Sequence, residues 1–297
     1  MVGRGLIHDQ GRALAAVALL AGLGAWLYGP VLAALVRQWS DEPDYSHGFL
    51  IPVVAAYLVW QRWPRLRAMP AAPAAAGLAV LIVGVALFVL AHLAAELFVM
   101  RASLIVVLTG LVGYLLGAGH LRLLAFPLVY LLLMVPPPAI VINAITFPLQ
   151  LFAAGAATTT LQLLDVPVLR EGNIITLANT KLEVAEACSG VRSLLALVAM
   201  ATTYTYFTQP TLWRRALVVL SAVPIAIVAN AGRVAGTGLL AHRFGDAVAQ
   251  GFFHSFSGWL VFVAALFLLC LEGFVLDRVS GVVVTLHTRR SQACARG

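Results

Sequence analysis

Three residues suited to covalent catalysis stand along the chain: a cysteine at 188, an arginine at 233 and a histidine at 254. Cys188 lies in "LEVAEACSGVRSLLALVAMATTYTYF" (182–207), with Glu183, Glu186 and Arg192 close by and an apolar run long enough to enter a bilayer just after it. A thiol attacks as its thiolate, and the thiol pKa of about 8.5 falls at helix N-termini and beside cations. Cys188 opens a helix whose first N–H groups, near Ser189 and Gly190, lack intrahelical partners. Those donors and the positive end of the helix dipole favour a thiolate and could hold a developing oxyanion. His254 suits a base that later acts as acid, because the unperturbed imidazole titrates near operating pH. Arg233 stays charged at neutral pH, so its part would be to stabilise an oxyanion or anchor a carboxyl or carbonyl group. Taken singly, each has a plainer reading: a small buried hydrophobe, a snorkelling cation, a packing or capping imidazole.

What joins them is the membrane. The chain has 297 residues, of which 62% are hydrophobic and 10% charged, with a mean hydropathy of +0.96. A soluble domain has about 45–50% apolar and about 25% charged residues, so the composition is that of a polytopic membrane protein. The net charge of +7 does not point to nucleic acid, because the arginines sit in short loops between apolar runs, where they set topology. Cys188, Cys270 and Cys294 are too few and too scattered for a disulfide scaffold or a zinc site, and no metal or cofactor is expected. The first apolar run is too long for the h-region of a secretory signal and reads as a retained span.

Apolar runs at 13–36, 48–61, 73–95, 98–117, 121–136, 190–208, 216–240 and 256–276 give an all-α fold of about eight spans in one domain over 1–297. The membrane core is 13–276, and 277–297 forms a cytoplasmic tail. The proline- and alanine-rich stretch 68–77 reads as a turn into the third span. Arginines near the N-terminus, at 62–67, at 122, at 214–215 and from 278 onward all fall on one side if both termini are inside. The apolar stretch 139–164 would reverse every later span if it crossed. It is therefore expected as a helix at the outer interface, with Asn143, Gln150 and Gln162 toward the polar side, and "VPPP" (135–138) breaks the chain before it. The segment 165–187 carries the one β pattern, alternating runs near 166–169, 173–177 and 181–185 around turn residues, and forms a small extracytoplasmic hairpin or sheet.

Under this topology Cys188, Arg233 and His254 arrive at one membrane depth from three consecutive spans. Asp44, Tyr45, Ser46 and His47 fall in the first outer loop, as lining of a substrate entrance or as support for the trio. Arg192 lies one turn after Cys188 on the same face and could support its thiolate or pair with Glu186. Asn230 could orient Arg233, and Glu183 and Glu186 could meet basic substrate groups.

The stretches "EACSGVRSL" (186–194), "NAGRVAGTGLL" (230–240) and "FFHSFSGW" (252–259), in that order, resemble the three motifs of the exosortase/archaeosortase family. "DYSHGFLIP" (44–52), "VPPP…FPLQ" (135–150) and "LREGNIIT" (169–176) are similar to its further landmarks, so the resemblance covers most of the chain. It implies a bacterial inner-membrane transpeptidase that cuts C-terminal PEP-CTERM signals, each a Pro-Glu-Pro motif, one span and a basic tail. It also implies that Cys188, Arg233 and His254 are catalytic. The alternative is a transporter or assembly subunit for cell-surface polysaccharide, which should carry mid-span ionisable groups and inverted repeats. The charges read as lying at the span mouths and no repeat is evident, which favours the enzyme. A thiol redox enzyme would want a second outward cysteine.

Overall fold

The computed structural model describes residues 2–178, 181–184, 191–245 and 258–278, with the side chains of 2–18, 21, 183, 191 and 192 outside that description. The chain divides into two compact units, Met1–Pro138 and Ala139–Gly297.

The first unit opens with α1 (Val2–Asp41), a short 3₁₀ segment (Pro43–Phe49) and α2 (Leu50–Ala68). Met69 turns extended after α2 and α3 begins at Ala75, so the proline- and alanine-rich stretch is the expected turn. α3 (Ala75–Leu93) and α4 (Leu97–Leu115) form a tight hairpin. Glycine is what allows it. A Cβ on Gly77 would meet the backbone of Gly113 and Tyr114, and one on Gly110 would meet the backbone of Leu81. In lipid, close approach of this kind holds helices together by van der Waals packing where the hydrophobic effect gives little. Glu96 caps α4, its carboxylate accepting from the N–H groups of Phe98 at 3.3 Å and Val99 at 2.6 Å. α5 (Ala118–Tyr130) follows, then a 3₁₀ turn (Leu131–Met134). Where α2 meets α5, Arg62 donates to the Leu123 carbonyl at 2.6 Å and the His120 ring lies 3.2 Å from the Leu66 carbonyl.

The second unit holds α6 (Ala139–Leu163), a sheet, α7 (Val191–Thr208), α8 (Leu212–Phe244) and α9 (Gly258–Arg278). α6 starts immediately after the three prolines, as expected. The expected hairpin is a three-stranded antiparallel meander of β1 (Val168–Glu171), β2 (Ile174–Leu177) and β3 (Lys181–Glu183), in the order β1-β2-β3. Gly172, at φ 65°, makes the tight turn between the first two strands. Ile175, Leu177 and Val184 pack with Ala153, Ala154, Ala157 and Leu161 of α6 and with Val234 and Ala235 of α8, which fastens the sheet to the helices. A second cluster joins α7, α8 and α9 through Leu197, Ala201, Val218, Ala222, Ala226, Ala265 and Leu269.

Five of the described helices are long and apolar enough to cross a membrane: α3, α4, α6, α8 and α9. This is a helical, multi-pass membrane protein with a small sheet. Four of the five coincide with expected spans. The fifth, α6, is the helix expected at the interface. The expected span at 13–36 lies within α1, that at 48–61 begins in the end of the 3₁₀ segment and continues in α2, and those at 121–136 and 190–208 correspond to shorter apolar helices. Of the residues expected on its polar side, Gln150 is instead buried in the unit, while Asn143 and Gln162 are exposed.

Candidate functional site

Register within the second unit decides which residues share a level. Tyr204 of α7 donates to the Cys270 carbonyl at 3.1 Å, and Gln209, just past α7, donates to the Gly273 carbonyl at 3.1 Å. α7 and α9 therefore run the same way. Counting back about a dozen residues from Tyr204 and from Cys270 brings Val191 and Gly258 to about one level. α8 runs against both. Its Arg214 pairs with Asp277 at 3.8 Å, and Ser221 donates to the Glu272 carboxylate farther along. The same antiparallel register carries Arg233 to Gly258, and there the contact is seen directly: the Arg233 Nη1 stands 3.1 Å from where a Cβ on Gly258 would be. Leu194, Ala229 and Phe262 pack against one cluster just inside this level.

One end of the three-helix group thus gathers the opening of α7, a half-buried arginine from α8 and the first turn of α9. Asn230, one turn before Arg233 on α8, is 4% exposed. The opposite end carries Arg214, Arg215 and Arg278, which lie over the rings of Trp213, Tyr206 and Phe274. Arginine against an aromatic ring at a helix end fits the boundary of a bilayer.

Of the expected site residues, Arg233 and Asn230 share this end of α8. Arg192 is the second residue of α7, and its side chain is outside the description. Glu186, Cys188, Ser189, Gly190 and His254 lie outside the described residues. Asp44, Tyr45 and His47 belong to the 3₁₀ segment of the first unit, all half-buried. Burial pushes the His47 imidazole below its ordinary value, and hydrogen bonds with the backbone of Asp44 and Leu133 partly oppose that shift.

The sequence reading missed a polar network in the first unit. Arg101, inside α4 and 7% exposed, donates to the Gln38 carbonyl oxygen at 2.7 Å, and Gln38 donates onward to Glu42 at 3.0 Å. Glu42, Glu96 and Tyr45 all act electrostatically on that guanidinium. An arginine within the apolar run 98–117 was the available signal. Arg101 stands about one turn into α4, and Glu272 lies within the last two turns of α9.

Comparison with protein-family models gives a match to the transmembrane exosortases over residues 39–271. Comparisons with curated proteins and with solved structures return no match.

Proposed function

The chain belongs to the transmembrane exosortase family, and from that premise we propose that it is a membrane-embedded cysteine endopeptidase and transpeptidase. Its substrates are membrane-tethered polypeptides with a C-terminal Pro-Glu-Pro motif, a span and a basic tail, cut on the extracytoplasmic face of a bacterial inner membrane. The observation that supports this most directly is the approach of Arg233 to Gly258 at the level where α7 opens. Cys188 precedes Val191 by three residues and His254 precedes Gly258 by four. Chain reach of about 3.3–3.6 Å per residue keeps both close to the helix starts they precede.

In this reading the Cys188 thiolate attacks the scissile carbonyl carbon and forms a tetrahedral intermediate. Its oxyanion is met by Arg233 and by N–H groups near Ser189 and Gly190. Collapse breaks the C–N bond, and His254 protonates the departing amine, leaving a thioester on Cys188. An incoming amine or water then attacks the thioester and gives its proton to His254, which regenerates the thiolate. Asn230 orients Arg233. Arg192 and Glu186 set the electrostatics around the thiol.

The test is co-expression with a signal-bearing substrate. Cys188→Ser and Cys188→Ala should abolish processing at normal protein level, while Cys270→Ala and Cys294→Ala keep it. Wild-type processing by Cys188→Ala would overturn the enzymatic reading.

A further inference from the structure

The sheet of the second unit has two edges, and one leads into the cysteine segment. The N–H of Val184 donates to the Asn173 carbonyl at 2.9 Å, and the β2–β3 register continues through Ile174↔Glu183, Ile175↔Leu182 and Thr176↔Lys181. In an antiparallel ladder, residues that exchange hydrogen bonds alternate with residues that do not. Val184 and Leu182 therefore turn their backbone groups toward β2, and Lys181 and Glu183 turn theirs to the open side. Among the described residues no backbone group bonds to that outer side. Lys181 is exposed.

This edge is held rigidly. Leu182 packs against the α6–α8 cluster, and its Cδ1 lies 3.5 Å from where a Cβ on Gly238 would stand. Gly238 follows Arg233 by five residues on α8, and Cys188 follows Val184 by four. A strand edge with unpaired N–H and C=O groups is a template for an extended chain, and a preformed one binds at lower entropic cost.

We infer that β3 takes an extended segment of the substrate polypeptide as a fourth strand, through the outward backbone groups of Lys181 and Glu183. The inference rests on the peptidase reading above and deepens it, because β3 ends five residues before Cys188 in the chain. Main-chain bonds supply the binding, so side-chain demands on the segment are light. A Pro-Glu-Pro motif suits such an edge. Its prolines are two residues apart, so both missing N–H groups fall on the outer side while the glutamate N–H and C=O face β3.

The experiment measures binding, not cleavage. Cys188→Ala protein in detergent is titrated with a fluorescent synthetic signal peptide, then with versions N-methylated at successive residues. Strand addition predicts losses of about tenfold or more per bond at every second residue, with near-unmodified affinity between them. Glu183→Pro and Lys181→Pro, which remove outward N–H groups and spare the β2 ladder, should weaken binding similarly. Val168→Pro, the matching change on the outer side of β1, should not. Failure of the unmodified peptide to bind would overturn the peptidase reading and this inference together. Binding without the two-residue period, or unaffected by both β3 prolines, would overturn strand addition alone.

Discussion

A single arginine on α8 links the described structure to the proposed chemistry. Arg233 lies against a glycine at the start of α9, so a side chain at that position competes for its space. Gly258→Ala should displace the guanidinium and lower kcat in a peptide-cleavage assay while the protein still folds. Arg233→Lys should lose activity on the order of 10²–10³-fold, because one ammonium cannot replace a planar fork of donors. His254→Ala should lose about 10²–10⁴-fold and with it the pH dependence of the rate. A cleavage series across pH separates the two, since the arginine variants keep the profile and lose only amplitude. His47 behaves differently. Its pKa lies below the ordinary 6.5 in the folded chain, chiefly through burial. The unfolded chain therefore takes up the proton first as pH falls, and this contribution to stability, complete above 6.5, is lost from there down to the folded value. His47→Gln should flatten the fall in Tm over that window.

The helices show what was legible and what was not. The spans at 73–95, 98–117, 216–240 and 256–276 could be read because long apolar runs have few alternatives. The sheet was legible from its alternation and its Glu171-Gly172-Asn173 turn. The Arg101 network was not, because its partners Gln38 and Glu42 lie some sixty residues away in the chain and no local pattern joins them. The placement of α6 was equally hidden: Gln150 marks a polar side in the sequence, yet folding turns it inward. For the candidate site, parity of spans was enough to bring Arg233 to the start of α9, but the glycine that makes room for it could not be found by parity. The α3–α4 hairpin gives a test at this scale. Gly77→Ala places a methyl group against the backbone of Gly113 and Tyr114. It should destabilise the protein by about 1–3 kcal/mol, as overpacking does, read as a lower Tm in detergent.

At the scale of the whole molecule the question is sidedness: in the second unit the arginine-aromatic end and the Arg233 end lie at opposite ends of the α7–α9 group. Single-cysteine variants test the sidedness: an impermeant thiol reagent should reach Cys188 in intact cells and Cys294 only after the membrane is opened. External labelling of Cys294 would reverse the proposed orientation. The length of α8 carries a further consequence. Its 33 residues extend about 50 Å, against a hydrocarbon core of about 30 Å, and Arg233 falls about 32 Å from Leu212. If α8 enters hydrocarbon at Leu212, the guanidinium stands at the depth where hydrocarbon gives way to headgroups, and acyl-chain length becomes a control variable. In bilayers of long-chain lipids the arginine is drawn into hydrocarbon or α8 must tilt; in short-chain lipids it stands clear in the headgroups. Reconstitution across a series of chain lengths should therefore give a cleavage rate with an optimum in bilayer thickness, and truncating the Arg233 side chain should flatten that optimum.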